Sequence, residues 1–179
     1  TGSSTLMLAE NMNASIVAID LFESFLDVLS EEAQKRGVAD KIKTAACSME
    51  DLPFDEESLD AIWAEGSIYN MGFAKGVEYF KRFLKPGGIL VVSEITWLTT
   101  ERPEEVQRHW DAEYPEIGTA SDKVTILENH GYSLKGYFPL PISSWLDNYY
   151  APLQSSFAGF LSRHDSDDAR AIVEAERLE

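Results

Sequence analysis

The chain has 179 residues, 44% of them hydrophobic, which suits one domain with a substantial core. Its 31 acidic and 15 basic side chains leave a formal charge of −16, which argues against nucleic acid as a partner, because a phosphate backbone calls for a basic surface. The single Cys47 excludes an internal disulfide and a multi-cysteine metal site, and His109, His130 and His164 stand apart, so no metal is expected.

In chain order, residues 5–11 read as a short helix entered from small and hydroxylated residues, Gly2-Ser3-Ser4. Ala14 to Ile19 is a nearly continuous apolar run that ends at Asp20, the pattern of a strand buried on both faces. Phe22, Phe25, Leu26, Leu29 and Ala33 then follow helical spacing, and Gly37 stops that helix. Lys41 to Ala46 is a weaker strand, followed by the loop Cys47 to Phe54. Leu59 to Ala64 is a further strand, and Phe73, Val77, Phe80 and Leu84 mark one helical face. Lys85-Pro86-Gly87-Gly88 punctuates the chain before the apolar run Ile89 to Val92.

This strand–helix alternation from Ile16 to Glu94 predicts an α/β fold, a Rossmann-like, mostly parallel sheet flanked by helices. Strands joined by a helix lie parallel, and ligands of such sheets sit outside the strands' carboxyl ends. Here those ends are Asp20, Ser48, Glu65-Gly66 and Ser93-Glu94. Beyond Glu94, helices are predicted from Pro103 to Tyr114 and from Ser121 to His130. A strand over Tyr132–Leu140, an aromatic stretch over Ser143–Tyr150 and a charged helix from Asp165 to Glu179 follow. The whole is read as a single domain, 1–179, with a core over 1–95 and substrate-side elements over 96–179.

Several residues at the strand ends carry chemistry. Asp20 can accept hydrogen bonds from the cis-diol of a ribose, about 1.5–3 kcal/mol each for a charged acceptor. It serves equally as a helix-start residue favoured by the dipole. Gly2 sits where backbone amides would approach a ligand closely, or in an ordinary turn. Ser48 and Met49 stand where a purine edge and face would be read, Ser48 by donating and accepting and Met49 by its polarizable surface; Met49 as a core residue is the alternative.

Leu52-Pro53-Phe54, Leu59-Asp60-Ala61-Ile62-Trp63 and Leu84-Lys85-Pro86-Gly87-Gly88-Ile89-Leu90 together resemble the class I S-adenosylmethionine-dependent methyltransferases. The likeness is to their small-molecule branch, which includes the ubiquinone/menaquinone-type enzymes, and within it to one bacterial and archaeal subgroup. It spans Thr1 to about Tyr137. The resemblance implies that Thr1-Gly2 is the tail of the family's Gly-rich loop, Asp20 the ribose ligand and Leu21 the residue covering the adenine. Ser48 takes the place of an adenine-binding Asp, Met49 is the adjacent adenine contact, and Glu65 and Gly66 face the methyl group. It also implies that the first and last strands of the family's sheet fall outside the given sequence.

The function that follows is transfer of a methyl group from S-adenosylmethionine to a small-molecule acceptor by in-line displacement, leaving S-adenosylhomocysteine. Holding both reactants in line contributes about 7–11 kcal/mol. A base is needed only for a protonated acceptor, and the candidates are Glu65, Glu94, Tyr69 and His109. Tyr69, Trp97, Trp110 and Tyr114 are read as substrate-side residues, joined by Trp145, Tyr149 and Tyr150 in an aromatic lid; core packing or a homodimer contact is the other use of these rings. A non-catalytic S-adenosylmethionine-binding regulatory module, or a nicotinamide-dependent oxidoreductase, are the competing readings. A cytoplasmic setting is expected from the cysteine usage, and no apolar run reaches the length of a membrane span.

Overall fold

The computed structural model describes residues 2–177, so Thr1 and the end of the charged helix predicted to reach Glu179 lie outside the described residues. The chain divides into two compact units, Thr1–Leu134 and Lys135–Glu179.

In the first unit, α1 (Ser3–Asn11), β1 (Ile16–Asp20), α2 (Glu23–Lys35) and β2 (Ile42–Ala46) come first. They are followed by β3 (Leu59–Glu65), α3 (Phe73–Lys81) and β4 (Leu84–Ser93). The short β5 (Thr96–Trp97), α4 (Glu104–Glu113), the short β6 (Gly118–Thr119) and α5 (Ala120–Asn129) close the unit. Every strand pairing among the described residues is parallel, in three separate pairs: β1 with β2, β3 with β4, and β5 with β6. Parallel pairing is what helical crossovers require.

Each long pair rests one face on helices. Ile16, Ala18 and Ile42 pack against a core of Leu6, Ala9, Leu29, Ala33 and Val38. Ile62, Leu90 and Val92 pack with Ala64, Ile68, Met71, Phe73, Val77 and Phe80, and Ile126 and Leu127 of α5 join them. The strands are therefore not buried on both faces as their apolar runs predict. Alternate positions point away from the helices, and Val17 is 40% exposed, Trp63 47% and Ile89 51%.

Lys85-Pro86-Gly87-Gly88 is a bulge within β4 and not a turn ahead of it. The register steps from Leu59 opposite Leu84 to Ala61 opposite Ile89, so the extra residues loop out. Gly87 takes a φ of 80°, and a Cβ on Gly88 would lie 2.9 Å from the Lys85 carbonyl oxygen. Both positions thus call for glycine. Leu84, expected on the helical face with Phe80, opens β4 instead.

The strand predicted over Tyr132–Leu140 is absent: this segment has no regular structure and is largely exposed. Alternation describes a half-buried face, and a strand also needs a neighbouring edge to pair with. In the second unit, α6 (Ile142–Trp145) passes through a wider π turn at Leu146–Tyr150 into α7 (Ala151–Arg163), and α8 (Asp167–Glu176) packs against α7. No helix among the described residues is long and apolar enough to cross a membrane.

Candidate functional site

The carboxyl end of β1 opens onto a cleft of about 100 Å³ lined by Gly2, Thr5, Ala18, Ile19, Asp20, Phe25, Leu26 and Leu29. Gly2 and Asp20, each a candidate from the sequence on separate grounds, therefore share one cleft. Gly2 has φ of 83°, and a Cβ there would come within 2.6 Å of Leu29 Cδ1. Only glycine leaves that wall in place.

Asp20 does two things at once. Its Oδ1 accepts the backbone N–H of Phe22 at 2.9 Å, which shapes the start of α2. Its Oδ2 has no protein partner among the described residues, so it is available to a ligand. Beside it, Leu21 is 68% exposed and Phe22 62%, an apolar surface next to a carboxylate. A polar sugar edge and a flat apolar base would find complementary groups there.

At the end of β2, the Ser48 hydroxyl accepts the Glu50 amide at 3.1 Å, and its own proton is free to donate. Met49 is partly buried against the core that backs β3, the alternative role the sequence allowed it. Burial, with Asp51 nearby, raises the pKa of the neighbouring Cys47 thiol.

At the end of β3, Glu65 is exposed and accepts the hydroxyl of Ser4, so α1 is tied to this strand end. Gly66 donates its amide to Ser93 Oγ at 2.8 Å, joining the ends of β3 and β4. The loop that follows carries Tyr69, 48% exposed, whose ring meets Tyr114 edge-on with centroids 6.2 Å apart. Tyr114 is only 8% exposed, and its hydroxyl donates to Glu94 Oε1. Burial, with the Glu94 carboxylate, pushes the Tyr114 hydroxyl far above its ordinary range, so it remains a neutral donor and not a base.

Trp97 lies under the Arg102 guanidinium, 4.0 Å from the ring centroid, and Arg102 is held by Gln107 and the Thr99 carbonyl, each at 2.7 Å. Trp110 contacts His109 edge-on, and His109 is exposed. Trp145 and Tyr149 belong to the second unit. Among the described residues no cluster of His, Cys, Asp or Glu could hold a metal ion.

Sequence reasoning missed Lys123 and Glu116. Lys123, in α5, is 5% exposed and lies 2.8 Å from Glu94. Glu116 accepts the Phe73 amide at 2.8 Å and so caps α3. Nothing local marks a lysine as buried; its pairing with Glu94, 29 positions earlier in the chain, is a tertiary fact.

Parallel pairs with helical crossovers, and a cleft at the strand ends holding a glycine and an acid, fit the α/β, Rossmann-like fold of class I S-adenosylmethionine-dependent methyltransferases. Residues 1–92 match the family described as "Methyltransferase domain", and the chain belongs to that family. It is 28% identical over 180 residues to a demethylmenaquinone methyltransferase of Clavibacter sepedonicus, an alignment that covers 99% of this chain and 69% of that protein. It is 31% identical over 112 residues to a ubiquinone/menaquinone biosynthesis C-methyltransferase of Brucella anthropi, over 62% of this chain and 43% of the relative. Among solved structures, a SAM-dependent methyltransferase from Geobacter sulfurreducens in complex with S-adenosyl-L-homocysteine superposes with a TM-score of 0.83 at 20% identity, over 98% of this chain and 72% of that one.

Proposed function

We propose that the protein transfers a methyl group from S-adenosylmethionine to a small-molecule acceptor. The observation that carries this reading is the cleft shared by Gly2 and Asp20, with Asp20 Oδ2 unpartnered among the described residues beside exposed Leu21. When bound, the cofactor supplies an electrophilic methyl on a sulfonium. The chain's own part is to hold and orient. Asp20 Oδ2 accepts the ribose hydroxyls, Gly2 lets the chain approach closely, and Leu21 covers the adenine face. Ser48 donates to the adenine edge and Met49 packs on the ring. The neutral Ser48 hydroxyl gives a weaker bond than a carboxylate would.

Glu65 and Gly66 border the reacting methyl, and Tyr69, Trp97 and Trp110 line the acceptor side, with Tyr114 behind Tyr69. In-line displacement disperses positive charge, so alignment and exclusion of water matter more than acid catalysis. Glu65 is the candidate base for a protonated acceptor; one of its oxygens already takes the Ser4 hydroxyl.

The setting is cytoplasmic, in keeping with a single free Cys47. The net charge of −16 disfavours nucleic acid as the acceptor. Self-association through the exposed apolar side chains at Trp145, Leu146 and Tyr149 completes the reading and is measured by sedimentation.

Titration calorimetry with S-adenosylhomocysteine tests the cofactor assignment. The chain binds one equivalent, and Asp20→Ala weakens binding by roughly tenfold or more, the value of a charged hydrogen bond. Unchanged affinity in Asp20→Ala would remove the ribose assignment.

A further inference from the structure

Behind the loop Gly66–Phe73, a set of buried polar groups meets that cofactor binding does not use. The side chains of Glu94 and Lys123 are each 6% exposed, with Lys123 Nζ 2.8 Å from Glu94 Oε1. The ammonium also donates to the Tyr114 hydroxyl at 3.0 Å and the Glu116 carbonyl at 2.9 Å, so its three protons are all placed. It stands 4.7 Å from the Phe73 ring centroid and 4.9 Å from that of Tyr114. The Tyr114 hydroxyl in turn donates to Glu94 Oε1. Glu94 Oε2 is buried with no protein partner among the described residues.

The same groups grip the loop at two points. Tyr69 rests edge-on against Tyr114, and the Phe73 amide is accepted by Glu116 Oε2 at 2.8 Å. The end of β4, the segment between α4 and β6, and α5 are thus joined to one side of the loop. Tyr69 itself stays half-exposed, so part of its ring is accessible beside that contact.

Stability is not needed to explain this arrangement. Burying two ions is costly, and an apolar pair of similar volume often serves as well or better. What the network fixes is the position of Tyr114 and Glu116.

We propose that Glu94 and Lys123 are positioning residues that act through Tyr114 and Glu116 to hold Gly66–Phe73, with Tyr69, as a rigid wall for the methyl acceptor. The functional half of this proposal rests on the methyl-transfer reading; the structural half does not.

The test compares wild type with the double variant Glu94→Leu/Lys123→Met, which replaces both ions by apolar groups. Three readouts are taken: S-adenosylhomocysteine affinity by calorimetry, amide hydrogen exchange of the peptide 66–73, and kcat and KM. The kinetics use the acceptor that wild type labels in a metabolite extract. The double variant is expected to melt at or above the wild-type temperature and to bind S-adenosylhomocysteine within about twofold of it. Its 66–73 amides exchange roughly tenfold faster, because the loop opens locally, while α2 is unchanged. KM for the acceptor rises roughly tenfold and kcat changes less. Wild-type exchange at 66–73, or a wild-type KM, overturns the proposal. If the double variant does not fold, Tyr114→Phe keeps the ions paired and cuts the hydroxyl link. Faster exchange at 66–73 and a raised KM are expected of it too, and wild-type values of either overturn the proposal. If wild type binds S-adenosylhomocysteine but labels nothing, the transfer reading fails, and with it the acceptor role; the exchange data still decide whether the network holds the loop.

Discussion

The two oxygens of Asp20 separate two roles of one residue. Oδ1 shapes the start of α2 by accepting the Phe22 amide, and Oδ2, without a partner among the described residues, is the oxygen proposed for the ribose. Asparagine can accept the same Phe22 amide through its side-chain oxygen, whereas alanine loses that bond, a net loss of about 0.5–1.5 kcal/mol. Asp20→Asn should therefore unfold in urea like wild type, Asp20→Ala should be less stable by about that amount, and both should bind S-adenosylhomocysteine more weakly. Wild-type affinity in Asp20→Asn would leave only the helix-start role. The acid is legible in the sequence because it ends an apolar run. The division of its oxygens is not, since it depends on where the Phe22 amide points. Tyr132 gives a second residue-level expectation. Burial pushes its hydroxyl up to about 12, against about 10 in an unfolded chain. Between those values the native chain keeps a proton that the unfolded chain has lost, so stability is unaffected below about pH 10 and falls as the pH rises toward 12. Urea unfolding at a series of alkaline pH values should show this fall, and Tyr132→Phe should reduce it. Equal falls in the two proteins would assign the effect to other groups.

At the scale of elements, α5 depends on a capping box. The Thr119 hydroxyl accepts the Asp122 amide at 3.2 Å, and Asp122 accepts the Thr119 amide at 2.8 Å. Thr119→Ala should cost about 0.5–2 kcal/mol, and Thr119→Ser should recover most of it. Urea unfolding that shows no loss in the alanine variant would mean α5 is held by tertiary packing alone. Pattern alone starts this helix at Ser121, because Ala120 and the glycine before Thr119 obscure the cap. The earlier elements are placed closely by pattern, since their apolar runs and their glycine and proline punctuation agree. Pattern misleads where it diverges from the pairing partner. Lys85–Gly88 looks like a turn locally, yet it bulges within β4 because Leu84 already pairs with Leu59. Tyr132–Leu140 alternates like a strand, yet no neighbouring edge takes it. The Glu94–Lys123 pair leaves no local signature at all.

For the whole molecule, the segment that begins at Tyr132 matters most. Residues 133–141 are exposed and irregular, and the division between the two units falls between Leu134 and Lys135. Exposed irregular backbone is where proteases cut first. Limited trypsin digestion should cleave at Lys135 before lysines in the first unit such as Lys41, which donates to the Ala9 carbonyl at 2.7 Å. Early cuts within α1–β2 instead would show that the first unit is the looser one.

Methyl transfer itself is put to the test by following labelled methyl from S-adenosylmethionine into a metabolite extract, with the labelled product identified by mass. One dominant labelled small molecule is expected, with a stoichiometric yield of S-adenosylhomocysteine. Binding of S-adenosylhomocysteine with no labelled product from any extract would contradict methyl transfer and point to a cofactor-binding regulatory module.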